Sequence, residues 1–185
     1  VTYETGKYDI VEVTPYRIEA KYSDFRHPDE VIFSNDIEDD LKRRDFTINA
    51  LAYSASKGLI IDLYKGQNDI KDKVVQAVGN ASDRFNEDAL RMLRAVRFSA
   101  QLDFAISYDT MNAIVDNSHL LKNISMERIR DEFTKIIESK NSTQGIALLQ
   151  KLKLLQYIIP ELEEGIGCEQ GGAHIYDVFE HLLGA

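Results

Sequence analysis

The chain has 185 residues, 44% of them apolar, which is enough for a substantial core and for one or two small domains. Its 31 acidic and 22 basic residues give a net charge of -9, which excludes nucleic-acid binding through an overall positive field, so any phosphate contact has to be local. One cysteine excludes an internal disulfide framework, and no apolar run is long enough to span a bilayer. We therefore predict a cytoplasmic protein with no membrane partner.

The N-terminal region is predicted to contain strands. β-branched and aromatic residues alternate with polar ones over residues 8–16, and Thr-Gly-Lys at residues 5–7 predicts the turn of a hairpin. The polar stretch KYSDFRHPDE, residues 21–30, predicts a loop. After it, Ser34 or Asn35 is placed to cap a helix with an acidic first turn.

Two more strands are predicted before the chain becomes helical. They correspond to GLIIDLY, residues 58–64, interpreted as buried, and to VVQAVG, residues 74–79. From residue 82 onward the periodicity is helical, with helices predicted at residues 86–102, 107–117, 125–139 and 143–150. EHLLGA, at the end of the chain, predicts a further amphipathic helix. Strands followed by helices make an α+β protein.

One predicted helix carries an unusual stripe of charge. In NEDALRMLRAVRF, the residues Asp88, Arg91, Arg94 and Arg97 follow one another at intervals of three. Apolar residues occupy the opposite face of this helix: Ala89, Met92, Leu93, Val96 and Ala100. Taken alone, the stripe is typical of a solvent-exposed face with intrahelical ion pairs.

A second polar cluster lies in LKRRDFTINALAY. It contains Arg43, Arg44, Asp45 and Asn49, directly followed by apolar residues. An ordinary helix with a polar first turn is the alternative interpretation of this segment. The two clusters together form a more specific pattern than either does alone, because VEVTPYR precedes both of them and DLYKGQNDI lies between them.

In this order, RRDFTINA, DLYKGQNDI and RFNEDALRMLRAVRF resemble the class II, bacterial-type tRNA nucleotidyltransferases of the polymerase-β superfamily, which include CCA-adding enzymes and their poly(A) polymerase relatives. The resemblance covers nearly the whole chain. It implies the C-terminal part of a nucleotidyltransferase head with a mixed β-sheet at residues 1–79. A helical neck at residues 80–140 and the start of a helical body at residues 141–185 follow.

The resemblance also implies roles for the two clusters. Asp88 and Arg91, in the E-D-x-x-R motif, would read the base of the incoming nucleotide, and Arg94 would contact the triphosphate. Arg44, Asp45 and Asn49 would contact the sugar and phosphates. For Arg97 two alternatives stay open: a phosphate contact, or an ion pair with an acid of the head.

Catalysis in this family needs Mg²⁺, held by G-G-x-x-R-D and D-x-D segments that this sequence does not contain. Glu12, in VEVTPYR, matches the family's third carboxylate and is the predicted catalytic residue; the alternative is an exposed acid on an edge strand. We therefore expect a fragment that adds no nucleotide alone, with most Mg²⁺ ligands outside it.

Other segments bear on the reaction. Asp24 and Arg26 fit the flexible loop of enzymes that add the terminal A. ISMERIRDEF departs from the Leu-Phe-x-E pattern of poly(A) polymerases. Full CCA addition to tRNA from CTP and ATP is therefore the predicted function. The alternatives are a poly(A) polymerase, an A-adding tRNA nucleotidyltransferase and a non-catalytic RNA- or nucleotide-binding module.

The segment IGCEQGGAHIYDVFEHLL resembles the junction with an HD-type phosphohydrolase domain. His181 lies at the position of the first ligand histidine, but the sequence lacks the following His-Asp pair. No complete metal site is therefore predicted in this chain, and a phosphohydrolase is disfavoured.

Overall fold

The computed structural model describes residues 2–5, 8–19, 30–169, 171 and 175–184. Its strands are β1 (Thr2–Thr5), β2 (Tyr8–Glu12), β3 (Arg17–Glu19), β4 (Val31–Phe33), β5 (Leu51–Ser54), β6 (Leu59–Asp62), β7 (Val74–Val75) and β8 (Ala105–Ile106). Its helices are α1 (Ile37–Lys42), α2 (Gly66–Asp72), α3 (Ala81–Glu87), α4 (Leu90–Leu102), α5 (Tyr108–Asn117), α6 (Met126–Ile137), α7 (Ser142–Lys151), α8 (Pro160–Glu163) and α9 (Val178–Gly184). Short 3₁₀ turns cover Thr47–Asn49, Ser118–Asn123 and Leu155–Tyr157.

The strands pair as two-stranded ribbons within the described residues. β1/β2, β3/β4 and β5/β6 are antiparallel, and the short β7/β8 pair is parallel. Thr5 pairs with Tyr8, which confirms the hairpin predicted around residues 5–7. Within the part of the chain that the structure describes, seven of the eight strands and the two short helices α1 and α2 precede α3, and helices α4 to α9 follow it, so the predicted α+β class is confirmed.

One helix predicted at residues 86–102 is two helices. α3 ends at Glu87, Asp88 has extended backbone angles (φ -147°, ψ 104°), and α4 begins at Leu90. The Asp88 carboxylate accepts a hydrogen bond from the Leu90 backbone N–H at 3.1 Å, which satisfies an otherwise unpaired donor in the first turn of α4. Asp88 therefore lies at the junction of the two helices and not on the same helical face as Arg91.

The predicted cap of the first helix was also wrong. Asp36, rather than Ser34 or Asn35, is the N-cap of α1, and its side chain accepts from the Glu38 backbone N–H at 2.9 Å. The Ser34 hydroxyl instead accepts from the Asp36 backbone N–H and donates to Asp39. The sequence offers Ser, Asn and Asp in a row, so local preference alone does not choose among them.

The strand predicted at residues 58–64 is shorter than expected and is not buried. β6 covers Leu59–Asp62, and Leu59 and Ile60 are 47% and 49% exposed. The predicted strand at residues 74–79 contracts to β7, continued by a single bridge between Phe46 and Ala77. Apolar runs identify strands but do not reveal which of their faces is covered.

The core lies in the helical part of the chain. All five residues of the predicted apolar face of the stripe are buried: Ala89, Met92, Leu93, Val96 and Ala100. α4 packs against α6 and α7, and Gly145 permits the close approach of α7, because a Cβ there would lie 2.6 Å from an Ile136 methyl carbon. Within the described residues, no helix is long and apolar enough to cross a bilayer.

Candidate functional site

The two polar clusters found in the sequence line one surface cavity of about 530 Å³. Its lining comprises Arg43, Arg44, Asp45, Asn49, Asp88, Leu90, Arg91, Arg94, Phe98 and Arg128. All six predicted nucleotide-binding residues are among them. Five arginines and two aspartates therefore share one cavity of a protein with net charge -9, so the cavity is a local cationic site in an acidic chain.

A second cavity of about 550 Å³ lies between the C-terminal end of α4 and α7. It is lined mainly by small and apolar residues, with Lys151 and Asp103 as its charged members. It lacks the convergent charged groups that mark a binding site for a charged ligand.

The segment from Asp45 to Asn49 is held in place by its backbone and by Phe46. The Val78 N–H donates to the Asp45 carbonyl at 3.0 Å, and the Thr47 N–H donates to the Gln76 carbonyl at 2.9 Å. Phe46 is fully buried, and its ring meets Phe98 of α4 edge to face, with centroids 5.8 Å apart. These contacts fix the segment against the helix that carries Arg91 and Arg94.

The D-x-Y-x-G-x-x-D motif, residues 62–69, packs against the same segment at its 3₁₀ turn, Thr47–Asn49. The Asp62 carboxylate accepts from the backbone N–H groups of Gly66 and Gln67 at the start of α2. Burial raises the pKa of Asp62, but these hydrogen bonds outweigh burial and lower the pKa below its ordinary value. The Thr47 hydroxyl donates to Asp69. Gly66 is required because a Cβ there would lie 2.2 Å from the Thr47 carbonyl oxygen.

Asp45 is the centre of a saturated cluster. Its Oδ1 accepts from the Phe46 N–H at 2.9 Å and from Asn49 Nδ2 at 3.2 Å. Its Oδ2 is approached by Nε and a terminal nitrogen of Arg94 at 2.7 and 2.5 Å. Four donors use the four acceptor positions of a carboxylate, so a ribose hydroxyl would have to displace one of them.

Arg44 is held by Asp40, which is buried and lies in the last turn of α1. Arg44 donates to Asp40 Oδ2 at 2.9 Å, and Arg43 donates through Nε to Oδ1 at 3.0 Å. Burial raises the pKa of Asp40, but hydrogen bonds and positive charge from the two arginines outweigh it, so the pKa lies below its ordinary value of 3.8.

Arg91 is held by three acceptors. One terminal nitrogen donates to Glu87 Oε2 at 2.6 Å and to the Arg84 carbonyl at 3.2 Å, and the other donates to the Arg43 carbonyl at 3.0 Å. Arg84 also pairs with Glu87 and donates to the Lys42 carbonyl at 2.8 Å. Two arginines thus connect α3 and α4 to the carbonyls at the end of α1.

Asp88 is held by a residue that the sequence did not predict. The guanidinium of Arg128, in α6, donates to Asp88 Oδ2 at 2.7 Å. Arg128, Phe98 and Arg84 were missed as parts of the site. Arg84 follows the i, i+3 spacing to Glu87 that favours an ion pair and was open to prediction. The pairing of Arg128 with Asp88, 40 residues away, was not.

Arg97 forms an ion pair that was not predicted, and a phosphate contact of this residue stays a prediction. Its Nε lies 2.9 Å from Glu132 Oε2, and Glu132 belongs to α6 rather than to the head. Both atoms are buried, and neither has a hydrogen-bond partner in the described structure. The contact is therefore an ion pair whose geometry does not form a hydrogen bond. The guanidinium also lies 4.4 Å from the centroid of the Phe98 ring. Burial of Arg97 outweighs the charge of Glu132 and lowers the pKa of Arg97.

Three further predicted site residues belong to the N-terminal part of the chain: Glu12, Asp24 and Arg26. Glu12 ends β2 opposite Thr2, and its catalytic role stays a prediction. Asp24 and Arg26 lie outside the described residues. The assignment of a flexible loop to them therefore stays a prediction as well.

The carboxylates of the cavity do not fit a magnesium site. Asp45 has its acceptor positions filled by backbone, amide and guanidinium donors, and each Asp88 oxygen already accepts one hydrogen bond. No group of three His, Cys, Asp or Glu side chains among the described residues is arranged to hold a metal ion.

Comparisons with known proteins agree with the geometry. The family model described as the poly(A) polymerase head domain matches residues 1–76, and that described as a probable RNA- and SrmB-binding site of polymerase A matches residues 103–166. The CCA-adding enzyme of Ligilactobacillus salivarius is 52% identical over 146 residues, which are 79% of this chain and 36% of that protein. That of Enterococcus faecalis is 49% identical over 156 residues, 84% of this chain and 38% of that protein.

Solved structures give the same result. The CCA-adding enzyme of Bacillus stearothermophilus in complex with CTP is 41% identical with a TM-score of 0.73, covering 82% of this chain and 36% of that one. The CCA-adding enzyme of Thermotoga maritima complexed with tRNA is 31% identical with a TM-score of 0.64, covering 71% and 34%. The chain spans little more than a third of the length of the curated relatives it matches. With matching head and RNA-binding segments and this cavity between them, the chain belongs to the family of class II CCA-adding tRNA nucleotidyltransferases and poly(A) polymerases.

Proposed function

We propose that the cavity selects CTP and ATP for a tRNA nucleotidyltransferase that adds C, C and A to tRNA 3′ ends. One observation carries the proposal: Asp88, an acceptor, and Arg91, a donor, line the same cavity as Arg44 and Arg94. A nucleoside triphosphate needs both kinds of group, because its base is read by hydrogen bonds and its phosphates are held by charge.

The base preference follows from the chemistry of the two side chains. Cytosine and adenine each present an amino donor beside a ring-nitrogen acceptor, which suits Asp88 and Arg91 together. Guanine and uracil present a carbonyl oxygen beside an N–H group, which places acceptor against acceptor and donor against donor. Each unpaired buried group costs about 1–3 kcal/mol, so the site favours C and A over G and U.

Both residues retain hydrogen-bonding capacity for a base. Arg91 has five N–H donors, and its partners Glu87, Arg84 and Arg43 account for three of them. Each oxygen of Asp88 accepts one hydrogen bond, from the Leu90 N–H or from Arg128, and keeps a second acceptor position. The contacts that hold the pair in place therefore leave groups to read the base.

Arg94 and Arg44 are the proposed triphosphate contacts. A guanidinium suits phosphate oxygens, and each of the two is held from one side by a carboxylate, Asp45 or Asp40, which orients it. Asn49 uses its amide nitrogen on Asp45, which leaves its carbonyl oxygen to accept from a ribose hydroxyl. Asp45 would then act on the sugar mainly through Asn49, unless a hydroxyl displaces one of its donors.

The acceptor RNA and the cofactor are proposed on the family relationship. Related proteins include a CCA-adding enzyme in complex with CTP and one complexed with tRNA, which supports tRNA as the acceptor here. Mg²⁺, the catalytic role of Glu12, the domain boundaries at residues 79 and 140, and a cytoplasmic location are proposals with the same basis.

The test is nucleotide addition by the full-length protein that carries this sequence, supplied with Mg²⁺. Transcripts of a tRNA lacking the 3′ CCA, ending in C, or ending in CC are incubated with each labelled nucleoside triphosphate. We expect C on the first two transcripts, A on the third, and termination after A. Long A tracts on unrelated RNA would instead indicate a poly(A) polymerase, and addition to the third transcript alone would indicate an A-adding enzyme.

A further inference from the structure

Asp88 and Arg91 lie three positions apart across a helix start, a spacing at which an acid and an arginine commonly pair with each other. In the structure each is held by other partners. Asp88 contacts Arg128, whereas Arg91 contacts Glu87 and two backbone carbonyls. The acceptor and the donor of the cavity are thus kept apart.

Arg128 helps to fix the orientation of the Asp88 carboxylate. Its guanidinium donates to Oδ2 at 2.7 Å, while the Leu90 N–H donates to Oδ1 at 3.1 Å. With one donor on each oxygen, rotation of the carboxylate toward Arg91 would break the contact with Arg128. Asp88 and Arg128 have side chains that are only 18% and 23% exposed, so water replaces that contact poorly.

Two observations describe how Arg128 is held. Its second terminal nitrogen is buried and has no hydrogen-bond partner in the described structure, so Arg128 is not held by a hydrogen-bond network of its own. One turn further along α6, Glu132 pairs with Arg97 and Lys135. Glu132 thereby fixes α6 against α4 at the height where Arg128 reaches Asp88.

We propose that Arg128 is a positioning residue for base selection, which prevents Asp88 from pairing with Arg91 and so keeps the acceptor available to the amino group of C or A. This inference rests on the proposed function. It predicts that loss of Arg128 lets Asp88 and Arg91 neutralise each other. Selectivity would then fall although both base-reading residues are still present.

The experiment compares kcat/KM for CTP and UTP in the full-length protein, on tRNA lacking the 3′ CCA. Arg128→Met removes the charge and keeps an apolar stem, and we expect the CTP/UTP ratio to fall at least about tenfold. Arg128→Lys restores a cation and should keep the ratio within about threefold of the wild type. Inhibition by inorganic tripolyphosphate, which has no base, should change by less than about twofold in either variant.

The matched control is Arg130→Met, two residues along the same helix. Arg130 is 69% exposed and pairs with Asp131, and its loss should leave the ratio unchanged. In an Asp88→Asn background, Arg128→Met should lower the ratio no further, because the two residues act as one unit.

If kcat/KM falls equally for CTP and UTP in a folded Arg128→Met protein, Arg128 has a general structural role and the inference is overturned. The proposed function would still stand in that case, provided that the wild type prefers CTP. A wild type without that preference would contradict both. If Arg128→Met shows no cooperative thermal transition, Arg128→Gln is measured instead, and a wild-type ratio in that variant also overturns the inference.

Discussion

Two pairs of cavity residues differ in how firmly the protein holds them: the proposed base-reading pair, Asp88 and Arg91, and the proposed phosphate pair, Arg44 and Arg94. The side chains of Arg91 and Asp88 are 11% and 18% exposed, whereas those of Arg94 and Arg44 are 33% and 44% exposed. The Arg91 guanidinium donates to three acceptors on three residues, whereas the hydrogen bonds of the Arg44 guanidinium within the described residues all go to one carboxylate, Asp40.

The difference matches what each pair has to recognise. A base edge is a directional pattern of donors and acceptors, and a misplaced acceptor discriminates poorly. A triphosphate carries several negative charges on rotatable groups, so partly solvated cations bind it without a fixed geometry. The rigid support of Asp88 and Arg91 therefore suits the proposed base selection, and the exposure of Arg94 and Arg44 is compatible with the proposed phosphate binding.

The largest expected effect follows from removing the donor of the base-reading pair. Arg91→Ala in the full-length protein should lower the CTP/UTP ratio of kcat/KM by roughly 10²-fold, because the ring nitrogen of cytosine loses its partner while uracil loses a clash. Arg91→Lys, which keeps the charge, should also lose discrimination, because a point charge lacks the fixed fork. A ratio equal to the wild type in both folded variants would show that Arg91 does not read the base.

Removing the firmer member of the phosphate pair should behave differently. Arg94→Ala should weaken CTP, ATP, UTP and GTP together, by about 1–3 kcal/mol in kcat/KM, because a phosphate contact does not depend on the base. The measurement is kcat/KM for all four nucleotides, with Arg130→Met as the control. A change in the CTP/UTP ratio would mean that the two pairs are not separate.

Asp40 tests how much its buried carboxylate, which holds Arg43 and Arg44, contributes to stability. Asp40→Asn should lower the free energy of unfolding at pH 7 by about 1 kcal/mol, discounted because Arg43 and Arg44 are partly solvated. Because the folded-state pKa of Asp40 lies below 3.8, its contribution is present above pH 3.8 and is lost as the pH falls through the lower, folded value.

Urea unfolding of the 185-residue chain between pH 2 and pH 7 measures this difference. The gap between wild type and Asp40→Asn should be constant at higher pH and should narrow below about pH 4. Glu38→Gln, in the exposed first turn of the same helix, is the control. A gap that is independent of pH would exclude the charged form of Asp40 as its source.

The smallest expected effect concerns the most exposed member of the phosphate pair. Arg44→Ala should weaken all nucleotides by less than about 1 kcal/mol, since its charge is largely solvated. Raising the salt concentration should reduce the difference between Arg44→Ala and wild type further. If Arg44→Ala lowers kcat/KM as much as Arg94→Ala does, the two arginines contribute equally, which would contradict the proposed difference between them.

Much of the local structure was predictable because it depends on short-range chemistry. The helices at residues 108–117, 126–137 and 142–151 follow the periodicity of apolar residues, and the first hairpin follows its turn signal. The break at Asp88 was not predicted, since the apolar spacing continues across it and the carboxylate that starts the new helix was interpreted as part of the stripe. In the same way, the exposure of Leu59 and Ile60 depends on which surfaces meet and not on the apolar run itself.

The sequence by itself determined which residue types the site contains, because two motifs place acids, amides and arginines at short, recognisable spacings. Only the tertiary structure decided which of these groups are available. It saturates Asp45 with four donors, assigns Arg97 to Glu132, and brings Arg128 from α6 to Asp88. The physical reason is that an ion pair forms between whichever opposite charges the packed helices bring within about 3 Å, and α6 packs against α4 through apolar contacts that do not encode the partner of each charge.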